Sequence, residues 1–131
     1  MDQLRIAVAQ INPIAGDIPR NLDLHIAAYE EAAENADLVV FSECSMTGYP
    51  IGDLALHEQF LKDAMRANDT LVGRTKGEGR PGILFGSITH DTESEPPFYA
   101  YASKHRRMKG NTFNAALMAE NGAIIGKRYK R

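Results

Sequence analysis

The sequence predicts an α/β fold in the order β-α-β-α-β followed by a β-hairpin, and three observations predict it. Short apolar runs of strand length alternate with longer stretches in which apolar residues recur at helical spacing. The first of these stretches lies between two of the runs, which is the order of a right-handed βαβ unit with parallel strands. Further on, an Asn-Gly pair separates two more apolar runs, the strongest short hairpin signal a sequence offers.

The elements follow in order. Leu4 to Ala9 is mostly apolar and predicts a first strand, central in its sheet. Asn12-Pro13 and Ala15-Gly16-Asp17 break it. From Pro19 to about Asn35, Leu22, Ile26, Tyr29, Ala33 and Ala36 recur at helical spacing with polar residues between them, Asp17 as N-cap and Pro19 in the first turn. Asp37 to Phe41 is a short buried strand. Leu54, Leu56, Phe60, Leu61, Ala64, Met65, Leu71 and Val72 mark a second long helix ending near Arg74. A loop from Lys76 to Gly82 leads to a third buried strand, Ile83 to Thr89. The stretch from His90 to Pro97 is polar and ends in a Pro-Pro pair, which argues against regular structure. Phe113 to Ala119 and Ala123 to Tyr129 are the hairpin strands, joined by Glu120-Asn121-Gly122. No internal repeat, low-complexity tract or linker divides the chain, so one domain or part of one is expected.

Composition narrows the function classes. With 131 residues, 44% hydrophobic and 24% charged, the chain can bury a modest core. No window approaches the roughly 18 uninterrupted apolar residues of a membrane span, and the first residues lack the pattern of a signal peptide, so a cytoplasmic location is expected. The formal charge of -2 hides an asymmetry: residues 1–65 carry 3 basic and 11 acidic side chains, residues 66–131 carry 12 and 6. Lys104, Arg106, Arg107 and Lys109 form one basic cluster and the last five residues another. Neither is interleaved with the aromatic platforms of single-strand binders, so no nucleic-acid partner is expected. His25, His57, His90 and His105 have no metal-ligand spacing and read as surface or packing residues, with no metal site.

Glu43 is the first candidate for chemistry, because it follows the second strand at the sheet edge where open α/β folds bind ligands. From position alone it could equally be a loop acid or a cap for the next helix. The lone cysteine, Cys44, excludes an internal disulfide and invites the label of nucleophile. Adjacent residues leaving a strand point to opposite faces, so Glu43 and Cys44 are poorly placed to share a proton, and free cysteine is among the most buried residue types. A structural role for Cys44 is therefore expected. Tyr49 could pack its ring on the sheet edge, and Lys130 unaided reads as a solvated charge in a basic cluster.

Three segments change these readings. They are the opening strand with Ala9-Gln10-Ile11-Asn12-Pro13-Ile14-Ala15-Gly16-Asp17 and Asn21, the Glu43 segment, and the hairpin from Asn114 to Lys130. From Leu4 onward the chain resembles the nitrilase (carbon–nitrogen hydrolase) superfamily. Within it, Thr47-Gly48-Tyr49-Pro50 with Asp53-Leu54 is most similar to the glutaminase domain of the glutamine-dependent NAD synthetase branch. The resemblance implies a four-layer αββα sandwich of which these residues are the N-terminal part. It also implies a glutamate, lysine and cysteine triad acting on a carboxamide, with glutamine as substrate. The family's glutamate falls on Glu43 as general base and its lysine on Lys130 as transition-state stabiliser, while Tyr49 matches a loop tyrosine beside the substrate pocket. The family's nucleophilic cysteine lies well after the lysine, in a segment not found among these residues, so the chain is expected to be inactive alone. No cofactor is implied for this chain, since ATP and Mg belong to a separate synthetase domain that amidates a nicotinate dinucleotide.

Half of such a sandwich would expose apolar sheet surface, so association with the remainder of the domain or with a second copy is expected. Two other classes remain open on the sequence: a different amidase or carbamoylase of the same superfamily, and a non-catalytic α/β interaction module.

Overall fold

The computed structural model describes residues 3–93 and 110–130. Five strands form one sheet in the order β1-β2-β3-β4-β5: β1 Ile6–Val8, β2 Leu38–Val40, β3 Gly82–Asp91, β4 Asn111–Glu120 and β5 Ala123–Tyr129. Strands β1, β2 and β3 are parallel, and β3, β4 and β5 antiparallel. Helix α1, Ile18–Ala32, connects β1 to β2, and helix α2, Glu58–Gly73, precedes β3. The βαβ unit and the hairpin are thus both present. Asn121 and Gly122 form the two-residue turn with φ of 48° and 79°, the double positive φ that a hairpin of matching twist requires.

Local chemistry sets the helix ends. The Asp17 carboxylate accepts from the Arg20 N–H at 3.2 Å, and Pro19 occupies the first turn. On α2 the buried stripe of Phe60, Leu61, Ala64, Ala67, Asn68, Leu71 and Val72 has helical spacing. Both helices pack on one face of the sheet, where Val39, Ile83, Phe85, Ala115, Leu117 and Ala119 close the core with Tyr29, Met46 and Leu71. Each large side chain so buried contributes ~1.5–3 kcal/mol. Tyr29 also donates its hydroxyl to the Pro81 carbonyl at 2.7 Å, tying α1 to the start of β3.

Four expectations are corrected. Among the described residues β1 lies at the edge of the sheet, where a central place was expected: an apolar run reports that a strand's faces are apolar, which edge and central positions share. Ala7 packs on the core, whereas Ile6 and Val8 point to the face opposite α1 and α2 and are 53% and 80% exposed. The second helix does not start at Leu54. Gly52–Leu56 is a separate 3-10 helix, and His57, extended at φ -89° and ψ 119°, breaks the chain before α2. Leu54 packs against Gly16 of the loop after β1, a tertiary contact that helical spacing does not record. On α1 the most buried stripe is Ile18, Asn21, His25 and Tyr29, so polar Asn21 and His25 lie deeper than Leu22 and Ile26. Finally, His90 and Asp91 extend β3, because Thr112 and Asn111 pair with them across the sheet. Thr92 and Glu93 follow β3 as an exposed bend, and residues 94–97 of the expected loop, His105, the basic cluster from Lys104 to Lys109, and Arg131 lie outside the described residues.

Candidate active site at the end of strand β2

The loop carrying Glu43 is pinned on three sides. The Phe41 N–H donates to Leu84 O at 2.8 Å, and the Met46 N–H donates to Gly86 O at 3.0 Å, so the loop lies directly on β3. That approach requires glycine at 86: a Cβ there would stand 2.4 Å from the Cys44 nitrogen and 2.7 Å from the Glu43 Cα. From the other side, Asn21 donates its side-chain amide to the carbonyls of Ile14 and Met46 at 2.8 and 3.1 Å, and accepts from the Ile14 N–H at 2.8 Å. One buried amide therefore joins α1, the loop after β1 and the Glu43 loop, leaving little polar capacity unsatisfied.

The β4–β5 register supplies what faces Glu43. The Lys130 N–H donates to Asn114 O at 2.9 Å, which sets the two side chains beside each other on one face. On the opposite face the rings of Phe113 and Tyr129 stack at 4.1 Å. Both polar side chains reach the same carboxylate oxygen: Lys130 Nζ donates to Glu43 Oε1 at 2.8 Å and Asn114 Nδ2 donates to it at 2.7 Å. Glu43 and Lys130 are 87 positions apart in sequence. The hydrogen bond from Lys130, then that from Asn114, holds the Glu43 carboxyl below the usual glutamate range, and Glu43 in turn raises Lys130. At neutral pH the pair is ionised, a fixed carboxylate beside a fixed ammonium.

These residues line a cavity of about 430 Å³ together with Phe41, Ser42, Leu84, Phe85, Ala116 and Arg128, so its wall is mostly apolar with polar groups converging at Glu43. The structure thus brings Glu43 and Lys130 into direct contact. Tyr49 is not in the cavity wall; it stands 82% exposed on the same loop, within electrostatic reach of Lys130. Cys44 is buried, with φ at 54°, and burial followed by the Glu43 charge pushes its thiol up, away from the reactive thiolate. Two residues of the site escaped the sequence reading. Asn114 carried a signal only as the residue opening the hairpin. His25, expected at the surface or in packing, is completely buried beneath the loop, with its ring 4.5 Å from that of Phe41. Among the described residues, no three His, Cys, Asp or Glu side chains come together to hold a metal ion, and no helix is long and apolar enough to cross a membrane.

The model of the carbon-nitrogen hydrolase family matches residues 5–131. The chain belongs to the carbon-nitrogen hydrolase family. Among curated relatives, the glutamine-dependent NAD(+) synthetase of Rhodobacter capsulatus is 40% identical over 132 residues, covering 94% of this chain and 24% of that protein. The enzyme of the same name from Thermotoga maritima is 31% identical over 127 residues, covering 96% of this chain and 19% of that protein. The chain thus spans about a fifth of the length of these relatives. Among solved structures, the glutamine-dependent NAD+ synthetase of Acinetobacter baumannii superposes with a TM-score of 0.79 at 25% identity, over all of this chain and 21% of that one. An amidase from Nesterenkonia sp. shares the fold, with a TM-score of 0.65 at 17% identity over 97% of this chain and 42% of that one. In this family member, therefore, the fold is the nitrilase-like α/β architecture, of which the described residues supply a helical layer and a sheet.

Proposed function

We propose that this carbon-nitrogen hydrolase is the glutaminase part of a glutamine-dependent NAD synthetase, and that residues 1–131 are the N-terminal portion of one such domain. The observation that carries the proposal is the contact of Glu43 with Lys130, at 2.8 Å, in a chain whose curated relatives bear that name. In this reading glutamine enters the cavity with its side-chain amide toward Glu43 and Lys130. Glu43 takes the proton from a cysteine thiol, and the thiolate attacks the amide carbon. Lys130 stabilises the oxyanion that forms. When the C–N bond breaks, Glu43 returns the proton to the departing ammonia; water then cleaves the thioester and releases glutamate. Tyr49 borders the incoming substrate. The nucleophile is a cysteine other than Cys44, because a buried thiol with a raised pKa is a poor one. None of these steps uses a cofactor. ATP and Mg²⁺ serve the later amidation of a nicotinate dinucleotide in a separate synthetase domain.

The test is ammonia release from glutamine by a chimera in which this chain replaces the matching segment of the Rhodobacter capsulatus relative. Release that survives Cys44→Ser and is lost on Glu43→Gln supports the reading. Release by the 131-residue chain alone that disappears on Cys44→Ser would overturn the assignment of the nucleophile. A chimera that folds but releases no ammonia would overturn the glutaminase reading itself.

A further inference from the structure

We propose that His25 is a positioning residue for Glu43, acting through Ser45, a role that rests on the glutaminase reading above for its catalytic consequence. His25 is on helix α1, completely buried, and touches the loop on both sides of the carboxylate-bearing residue. Its ring packs against Phe41 at 4.5 Å and edge-on to Phe85 at 6.3 Å, and its Nε2 lies 2.8 Å from Ser45 Oγ. Ser45 is itself fully buried on the loop, next to Met46, whose N–H donates to the Gly86 carbonyl at 3.0 Å.

The proton positions follow from the partners. Nδ1 lies 2.6 Å from the carbonyl of Asn21, which can only accept, so Nδ1 carries a hydrogen. In the neutral ring Nε2 is then an acceptor, and the Ser45 hydroxyl donates to it. Burial pushes the imidazole below its ordinary value, which keeps it neutral at pH 7. The result is a chain of buried hydrogen bonds from the backbone of α1 through His25 and Ser45 to the loop that holds Glu43. An apolar side chain at 25 could fill the space but could not hold the hydroxyl.

Glu43 accepts from Lys130 and Asn114 only if its backbone keeps this position on Gly86. Loosening Ser45 should therefore show in the titration of a carboxylate it does not touch. The experiment is a ¹³C NMR pH titration of the Glu43 carboxyl in the full chain, for Ser45→Ala and His25→Leu against the unsubstituted protein. Asp37, paired with Arg5 at 2.9 Å away from this loop, is the internal control. The expected result is that the Glu43 midpoint rises toward the ordinary glutamate value of 4.5 in both variants while Asp37 does not move. An unchanged Glu43 midpoint, or equal shifts of Glu43 and Asp37, would overturn the proposal. If His25→Leu does not fold, Ser45→Ala decides alone. In the chimera the same substitutions should lower kcat with KM unchanged; failure of the unsubstituted chimera to release ammonia sinks the glutaminase reading and leaves the titration to judge the positioning role.

Discussion

Glu43 combines an exposed, solvent-facing carboxylate with two fixed donors on one oxygen, so its ionisation is set by neighbours and not by burial. Removing the charge while keeping the shape isolates its chemistry: in an active chimera, Glu43→Gln should lower kcat by roughly 10²–10⁴-fold with the melting temperature nearly unchanged. Lys130→Met removes a donor aimed at developing charge and should cost about 10²–10³-fold in kcat. His25 makes a different prediction, on stability. Burial holds its folded pKa below 6.5, so on acidification the unfolded chain takes up this proton first. The stability contributed by neutral His25 is complete above pH 6.5 and is lost as the pH falls through that value toward the folded pKa. Urea midpoints should therefore drop on acidification across this range, with a smaller slope in His25→Leu. Glu43 was legible from the sequence because a polar residue ending an apolar strand is a local signal. His25 and Asn114 were not, since what they do depends on Ser45 and Glu43, 20 and 71 positions away.

Among the elements, the hairpin was the most legible and the second helix the least. A two-residue Asn-Gly turn writes its backbone geometry into local sequence, and β5 has the limits its apolar run predicts. Replacing the glycine at φ 79°, in Gly122→Ala, should destabilise by about 1–2 kcal/mol, measured by urea unfolding. The break at His57 was invisible because Leu54 and Leu56 continue the apolar spacing while the chain turns to reach Gly16. The face of α1 was misjudged for a related reason: hydropathy marks apolar residues, but here buried polar side chains hold two loops to the helix. Between elements, Gly86 is the critical joint. Gly86→Ala should cost about 1–3 kcal/mol or more by forcing the Glu43 loop off β3, and should lower ammonia release along with stability.

Among the described residues both helices lie on one face of the sheet, and the other face carries the exposed Ile6 and Val8 as well as the polar Asn114 and Lys130. Leu4, Ile6 and Val8 on β1 and its approach, with Ile124 and Ile125 on β5, are exposed large hydrophobics at the two edge strands. Surface of this kind seeks a partner. We expect the 131-residue chain alone to elute above its monomer mass in size-exclusion chromatography, and Val8→Glu to shift it toward monomer; a stable monomer at high concentration would count against this. By itself the sequence determined the α/β class, the order of elements, the hairpin turn and the family, because each is encoded by short-range spacing or by motifs a few residues long. Only the tertiary structure decided that β1 borders the sheet of the described residues, that Asn114 and Lys130 converge on one oxygen of Glu43, and that His25 lies beneath the loop. These depend on sheet order and strand register, which arise from contacts between residues far apart in the chain and leave no periodic trace in it.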